Sequence, residues 1–384
     1  MGQPQVGRWW TVAFGVATAA TFVGWYGPLQ VLLAKQAEVA GGAGKETVLA
    51  VVAAVGAACS MVANPVWGAL SDRSGRRLPW IIGGAVGGAG GLVLLGTATS
   101  TVGMIIGWAV VQIALNAPFA ALSAVIPDQV PTDRRGRIGG WFGLAQTLGI
   151  IAGTGLSLSG GTVLSGYIAC AAAVVIGSIP FTVIANEHVP SRQSTKVKMT
   201  PDFRWAWATR FLINLGNAIA LLYLLYYLKD EVRLPDPDSG VFLLTAMYAA
   251  ALLSTVVAGG VLSDRGGRRR VFVCAAGLIM AAAAVLLAAW PTWTGAVTAA
   301  VVLGVGFGAY TSVDFALVTE VLPTAADRGK DLGVINVANA LPQVLAPVAA
   351  APLVALGGYP MLYAVAAVVG VAGSVLVFQI KTVR

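Results

Sequence analysis

The chain has 384 residues, of which 57% are hydrophobic and only 10% are charged, and its mean hydropathy is +0.81. Soluble proteins carry about 25% charged residues, so this composition excludes a soluble globular domain and indicates a chain that lies in a lipid bilayer. The net charge of +8 would point to nucleic acid in a soluble protein, but here the basic residues lie in loops between apolar segments. We therefore expect no nucleic-acid partner.

Apolar segments long enough to cross the bilayer recur along the whole chain. A helix needs about 20 residues to cross roughly 30 Å of hydrocarbon. The segments of this length, numbered in chain order as spans 1 to 12, are 9–33, 48–70, 78–98, 101–126, 138–160, 163–186, 204–228, 240–262, 271–290, 293–321, 333–355 and 359–380. The sequence thus predicts an all-α integral membrane protein with twelve transmembrane helices.

The longest polar segment between spans separates six helices from six. It predicts an N-terminal bundle at 1–186, a cytoplasmic linker at 187–203 and a C-terminal bundle at 204–384. Basic residues collect on the side of the membrane that holds this linker. With the N-terminus on that side, the opposite side holds only Lys35, Lys45, Lys229 and Arg233. By the positive-inside rule, both termini are predicted to lie in the cytoplasm, and the protein in the cell (cytoplasmic) membrane.

Two loops of the chain repeat one charged pattern. GALSDRSGRR follows span 2 and GVLSDRGGRRR follows span 8, so Asp72 and Asp264 are 264 − 72 = 192 residues apart, half of the 384-residue chain. Asp128 in VIPDQVP and Glu320 in EVLP are separated by the same offset. Two landmarks at one offset indicate that the chain is a duplicated bundle.

Both loops resemble the signature of the major facilitator superfamily, a Gly-x-Leu-Ala-Asp-Arg-x-Gly-Arg-Lys-like motif between helices 2 and 3. The matching residues include Gly68, Asp72, Arg73, Gly75, Arg76 and Arg77, and again Gly260, Asp264, Arg265, Gly267, Arg268 and Arg269. The resemblance implies two pseudo-symmetric six-helix bundles that give alternating access to a central site. SDRSGRRLPWI and NVANALPQVLAP are also similar to the sucrose and glycoside-pentoside symporter branches.

The resemblance assigns the signature loops to gating at the cytoplasmic side. In the family, the Asp and Arg residues resemble a latch that holds helices 2 and 3 to the neighbouring bundle when that side is closed. The glycines permit the tight turn and a close approach of the helices. The alternative is that the arginines only anchor the topology and contact anionic lipid headgroups.

Two charged residues lie well inside predicted spans. Arg210 lies in span 7, six residues beyond Arg204, and Asp314 lies in span 10, nine residues before Pro323. These separations place both charges at similar depth, roughly 9 and 13 Å from the cytoplasmic ends. Because intramembrane charges are expensive and usually functional, we predict an Arg210–Asp314 pair. It either couples proton movement through Asp314 or forms a permanent structural bridge, and Arg210 alternatively extends to the membrane surface.

Uncharged polar side chains recur at helical spacing around these charges. They predict a polar solute site, or hydrogen bonds that hold helices together. The candidates are Trp25 in span 1, Gln112 and Asn116 in span 4, Asn214 and Asn217 in span 7, Tyr310 in span 10, and Asn339 and Gln343 in span 11. In the resembling family, helices 1, 4, 7 and 10 line the central cavity. Amides and hydroxyls beside aromatic rings suit a sugar.

The sequence offers no sign of an enzyme, a cofactor or a metal site. Cys59, Cys170, Cys274 and the single His188 are scattered, which fits neither a disulfide framework nor a metal cluster. GGAGKE, which ends at Glu46, lacks the Ser or Thr that follows the lysine of a phosphate-binding loop. ATP-driven pumping is therefore not expected.

These features together predict a secondary active transporter. We expect a monomer that moves a small polar organic solute, a sugar or glycoside, by proton-coupled symport. The first alternative is a proton-driven exporter of drugs or secondary metabolites. The absence of a Gly-Pro pair from span 5 argues against it, since the drug antiporters of the family carry a proline-containing glycine motif there. The second alternative is a membrane assembly or receptor-like protein that has lost transport.

Overall fold

A computed structural model describes residues 7–130, 135–159, 161–185, 200–266, 269–321 and 328–381. Throughout these ranges the regular structure is helical. Eight of the described helices or continuous helical runs are long and apolar enough to span a membrane, or nine when a bent pair, Pro201–Leu222 with Leu224–Glu231, is counted as one span. The runs Arg8–Ser74 and Val337–Gln379 are longer than one crossing needs. The chain is therefore a multi-pass membrane protein, and the number of twelve spans stays a prediction.

The chain divides into two compact units, Met1–Arg192 and Gln193–Arg384. The first unit contains seven helices in its described residues, and a π-helical turn at Pro28–Leu32 joins the first two of them. They are α1 (Arg8–Gly27), α2 (Leu33–Gly41), α3 (Lys45–Ser74), α4 (Leu78–Gly96), α5 (Thr101–Gln129), α6 (Arg135–Ser157) and α7 (Val163–Ile184).

The second unit is helical in the same manner. Its described helices are α8 (Pro201–Leu222), the short α9 (Leu224–Tyr226), α10 (Pro237–Gly266), α11 (Arg269–Ala289), α12 (Trp293–Val321) and α13 (Arg328–Leu376). Span 7 corresponds to α8 with α9, and span 10 to α12. Spans 11 and 12 both lie in α13, where Gly357 and Gly358 leave the helical conformation. Gly358 has φ +67°, which glycine adopts without a steric penalty.

Local sequence signals explain where several helices begin and end. The Ser100 hydroxyl accepts from the Gly103 N–H at 3.2 Å and so caps the start of α5. Thr200 caps α8 in the same way, and Pro201 follows at the first helical position. Gly75 ends α3 with φ +62°. Capping of this kind satisfies the backbone groups that a helix end leaves without intrahelical partners.

The helices of the two units pack in corresponding order. In the first unit, α3 and α4 pack against α5, α4 packs against α7, and α1 packs against α6 and α7. In the second unit, α10 and α11 pack against α12, and α8 and α11 pack against α13. This repeated arrangement agrees with the duplication that the loop sequences indicate. It places α8, α12 and α13 close enough for their polar side chains to meet.

Candidate functional site

An ion pair lies inside the second unit, between α8 and α12. Arg210 Nη1 is 2.7 Å from Asp314 Oδ2, and the side chains are only 15% and 10% exposed. The other carboxylate oxygen of Asp314 accepts a hydrogen bond of 2.7 Å from the Tyr310 hydroxyl, one helical turn earlier on α12. The predicted pair therefore forms, and both carboxylate oxygens have a donor.

Two amides extend this ion pair towards α13. Arg210 Nε donates to Asn339 Oδ1 at 2.8 Å, and Asn214 Nδ2 donates to the same oxygen at 3.2 Å. Asn214 Nδ2 also donates to the backbone carbonyl of Arg210 at 2.8 Å. Because Asn339 is 129 residues from Arg210, only the packing of α8 against α13 brings them together. We call Arg210, Asn214, Tyr310, Asp314 and Asn339 the polar cluster.

The other candidates from α8 and α13 lie outside the polar cluster. Asn217 is buried, and its Oδ1 has no hydrogen-bond partner in the described part of the chain. Its side chain borders a small cavity with Ile213, Met280 and Leu303. Gln343, one turn beyond Asn339, is exposed within the described structure. The regular spacing of amides along the spans did not distinguish these positions from Asn214 and Asn339.

Asn116 belongs to a second polar network, inside the first unit. Its Nδ2 donates to Ser60 Oγ and to the backbone carbonyl of Gln112, both at 2.7 Å, and its Oδ1 accepts from Asn64 Nδ2 at 3.1 Å. Ser60 and Asn64 lie on α3, so Asn116 joins α5 to α3. Gln112 contributes its carbonyl to this network. These contacts match the alternative that the sequence left open, hydrogen bonds that hold helices together.

Trp25 lies in an aromatic group of the first unit. Its ring makes edge contacts with Phe22 and Phe119, with centroid distances of 5.5 and 5.4 Å. Its indole Nε1 is buried and has no partner among the described residues. A buried indole donor normally has a hydrogen-bond partner. Trp25 is thus held by ring packing, and its N–H has no acceptor in the described part of the chain.

The first signature loop is organised by a buried arginine. Arg77 Nη2 lies 2.6 Å from Asp72 Oδ1 and 2.8 Å from Asp128 Oδ2, and Arg77 Nη1 also contacts Ser71 Oγ. The exposed fraction is 4% for the Arg77 side chain and 2% for that of Asp128. The Arg77 guanidinium thus joins the end of α3, at Asp72, to the end of α5, at Asp128.

Sequence reasoning missed this role of Arg77 and Asp128. The other residues predicted for gating in this loop are less buried. Asp72, Arg73, Gly75 and Arg76 are exposed, and Gly68 is partly buried. A signal was present, because Asp128 recurs at the repeat offset as Glu320 and is the nearest acidic residue at the end of span 4. In the second loop, Gly260, Asp264 and Arg265 lie in the last turns of α10, where only the backbone is described. Gly267 and Arg268 lie outside the described residues.

Three solved structures of transporters share this fold. A bacterial homolog of the human lysosomal transporter Spinster, inward-facing and unoccupied, aligns with 98% of this chain and 96% of its own at 14% identity and TM-score 0.70. A variant of the nucleoside transporter NupG aligns over 97% and 100% at 14% identity and TM-score 0.76. The peptide transporter POT, in complex with sulfate, aligns over 98% and 96% at 12% identity and TM-score 0.80.

Family membership follows from the sequence itself. Among curated protein sequences, none matches the chain. The sequence profile of the Major Facilitator Superfamily matches residues 12–231 and 206–383. The two matches overlap at 206–231, at the start of the second unit, and together cover nearly the whole chain. The resemblance seen in the two signature loops is thus confirmed. The chain belongs to the Major Facilitator Superfamily.

Proposed function

We propose that this secondary transporter takes up a small polar organic solute, a sugar or glycoside, together with a proton. In this proposal it works as a monomer in the cytoplasmic membrane, with both termini in the cytoplasm. The observation that carries the proposal is the Arg210–Asp314 ion pair, which lies within two membrane-spanning helices and is nearly closed to solvent. Charged groups in that setting are expensive and are retained for function.

The geometry suggests how this pair couples a proton to the solute. A nearby cation favours the ionised carboxylate, whereas burial favours the protonated one. While Arg210 contacts Asp314 at 2.7 Å, the guanidinium stabilises the ionised form of the carboxylate. A solute or a helix movement that draws Arg210 away leaves Asp314 buried without its cation, and a proton then binds there. Asp314 is therefore the proposed proton carrier, and Arg210 the group that senses the solute.

The amides and the hydroxyl of the polar cluster suit a solute rich in hydroxyl groups. Asn214 and Asn339 offer both donors and acceptors, and the Tyr310 hydroxyl already binds one carboxylate oxygen of Asp314. A site with these groups recognises a polar solute through hydrogen bonds that fix its orientation.

The test uses purified protein in liposomes that contain a pH-sensitive dye, with a panel of external sugars and glycosides. We expect a transported sugar to acidify the interior and Asp314→Asn to abolish that signal. Asp238→Asn, which removes a carboxylate at the start of α10 outside the polar cluster, serves as the matched control and keeps the signal. Acidification that persists in Asp314→Asn would show that the pair is structural. If no sugar moves protons, the sugar assignment is wrong.

A further inference from the structure

The charge balance of the polar cluster restricts the kind of solute that can displace Asp314 from Arg210. Arg210 is the cation of this cluster and Asp314 is its anion, since the other members, Asn214, Tyr310 and Asn339, are uncharged. The cluster is therefore electrically neutral as it stands. If Asp314 takes up a proton and nothing else changes, the cluster carries one uncompensated positive charge inside a membrane-spanning unit.

The neighbouring helices do not offer a replacement for this lost negative charge in the described structure. Among the described residues, Asp314 pairs with Arg210 at 2.7 Å and accepts from the Tyr310 hydroxyl at 2.7 Å. On α10, Tyr248 stacks on Phe307 with centroids 6.4 Å apart, and Phe307 lies beside Tyr310. The remaining titratable side chains that α10 and α11 present in their described parts are Asp238, at the first turn of α10, and Arg269, Arg270 and Cys274, in the first turns of α11. On α8, Asp202 and Arg204 lie in the first turn, eight and six residues before Arg210, and the described side chains of α13 include no acid. None of these helices adds an acid beside the guanidinium.

Removing one partner of a buried ion pair leaves the other charge unpaired, which is strongly unfavourable. A neutral sugar provides hydroxyl oxygens to Arg210 but no charge. A carboxylate provides the charge and also matches the two parallel donors of a guanidinium. We propose that the solute that binds at Arg210 is an organic anion, a sugar acid or a similar hydroxy acid, whose carboxylate replaces that of Asp314.

This inference rests on the proposed function, in which Asp314 accepts the coupled proton, and it identifies the substrate class of that same site. The exchange is balanced in charge. The solute brings one negative charge to Arg210, and one proton neutralises the displaced Asp314. Asn339 Oδ1 keeps its contact with Arg210 Nε, so the guanidinium stays oriented while its Nη1 side changes partner. Transport of a monoanion with one proton moves no net charge.

Binding measurements provide the first test, with matched probe pairs: glucose with glucuronate, galactose with galacturonate, and the simple carboxylates acetate and lactate. Asp314→Asn imitates the protonated carboxyl group and leaves Arg210 open. We expect this variant to bind the acids with an affinity that does not depend on pH. In the wild type, Asp314 must take up a proton when an acid binds. The affinity for the acid therefore falls about tenfold for each unit by which the pH rises, because one proton is linked to one ligand. The neutral sugars bind at least about 100-fold more weakly, a discrimination that one charged pairing supports.

The double variant Arg210→Gln with Asp314→Asn is the matched control. It removes the proposed anion site without leaving a buried charge, and so avoids the misfolding that Arg210→Gln alone risks. We expect it to lose acid binding. Three outcomes would each overturn the inference. Asp314→Asn binds acid and neutral sugar equally, or it binds no acid in the panel, or the double variant retains acid binding.

Transport in liposomes separates this inference from the proposed function. Uptake of an acid with a proton that is insensitive to an imposed membrane potential supports the anion site and proton coupling, and it identifies the solute as a sugar acid and not a neutral sugar. If the acids bind Asp314→Asn but carry no proton in the wild type, the anion site stands and proton coupling is wrong. If neutral sugars carry protons and generate a membrane potential, proton coupling stands and the anion inference is wrong.

Discussion

Arg77 donates to the same oxygen of Asp128 from two nitrogens, Nε at 3.1 Å and Nη2 at 2.8 Å. The two residues are 51 positions apart, and their side chains are almost fully buried. This contact fastens the start of α4 to the end of α5 at the cytoplasmic side predicted from the loop charges. The signature loop thus contains a buried charged contact in addition to its exposed arginines.

We expect Arg77→Gln to destabilise the protein strongly, because it removes the buried guanidinium that pairs with the Asp128 carboxylate. Breaking a buried pair in this way costs about 3 to 5 kcal/mol. The exposed neighbour Arg76 is the control, and Arg76→Gln should change stability by no more than about 0.5 kcal/mol. Thermal unfolding in detergent measures both. Similar midpoints for the two variants would contradict the structural role of Arg77.

The polar cluster permits its negative charge to be moved from α12 to α13. Asp314→Asn should lower the unfolding midpoint, since Arg210 loses its counter-charge. Adding Asn339→Asp places a carboxylate where Arg210 Nε already donates at 2.8 Å. We expect the double variant to recover most of the lost stability. It should not recover proton movement, because the new carboxylate lacks the Tyr310 hydroxyl contact. Recovery of proton movement would show that the position of the carboxylate is unimportant.

Two glycines of α6 should respond to alanine in opposite directions. A Cβ on Gly153 would lie 2.9 Å from the Gly27 backbone nitrogen and 3.0 Å from the Val23 carbonyl oxygen, and backbone cannot easily move aside. Overpacking of this kind costs about 1 to 3 kcal/mol. A Cβ on Gly139 would meet no described atom within 4 Å, so Gly139→Ala should stabilise α6 by up to about 1 kcal/mol. Unfolding midpoints that shift in the same direction would disprove the close α1–α6 approach.

Gln36 joins three helices of the first unit. Its Nε2 donates to the Leu95 carbonyl at 2.9 Å and to the Ala98 carbonyl at 3.2 Å, and its Oε1 accepts from the Tyr167 hydroxyl at 2.6 Å. Tyr167→Phe removes one of these bonds and should cost about 0.5 to 1.5 kcal/mol. Gln36→Leu removes all three and should cost more, since it leaves buried polar groups without partners. An equal loss of stability in both variants would mean that the bonds to α4 contribute nothing.

Sequence patterns predicted best those features that depend on a short stretch of chain, such as the transmembrane spans and the charges within them. The apolar spans follow from the length of a helix that crosses hydrocarbon, and Arg210 and Asp314 were conspicuous because ionised groups are rare there. Spacing from the loop ends placed the two charges at similar depth, and their ion pair is confirmed by the 2.7 Å contact. The assignment of Asp314 to proton coupling stays a proposal.

The environment of each amide side chain could not be predicted from the sequence. Asn116, Asn214, Asn217, Asn339 and Gln343 are equivalent as polar residues in apolar spans, yet the structure gives each a different environment. Successive residues of a helix point about 100° apart, so a small rotation of a helix about its axis decides which amide faces a neighbour. That rotation results from the packing of whole helix surfaces and leaves no signature in a short stretch of sequence.

The sequence by itself determined the membrane class, the duplication, the family and the two intramembrane charges, because hydropathy, repeat offset and charge are properties of the chain alone. Only the tertiary structure decided that Asn339 holds Arg210 while Asn116 binds α3, and that Arg77, not Arg73, is the buried arginine of the first loop. These contacts join residues between 51 and 129 positions apart. They exist because close helix packing selects one rotation for each helix, and a buried polar group must find its partner in that arrangement.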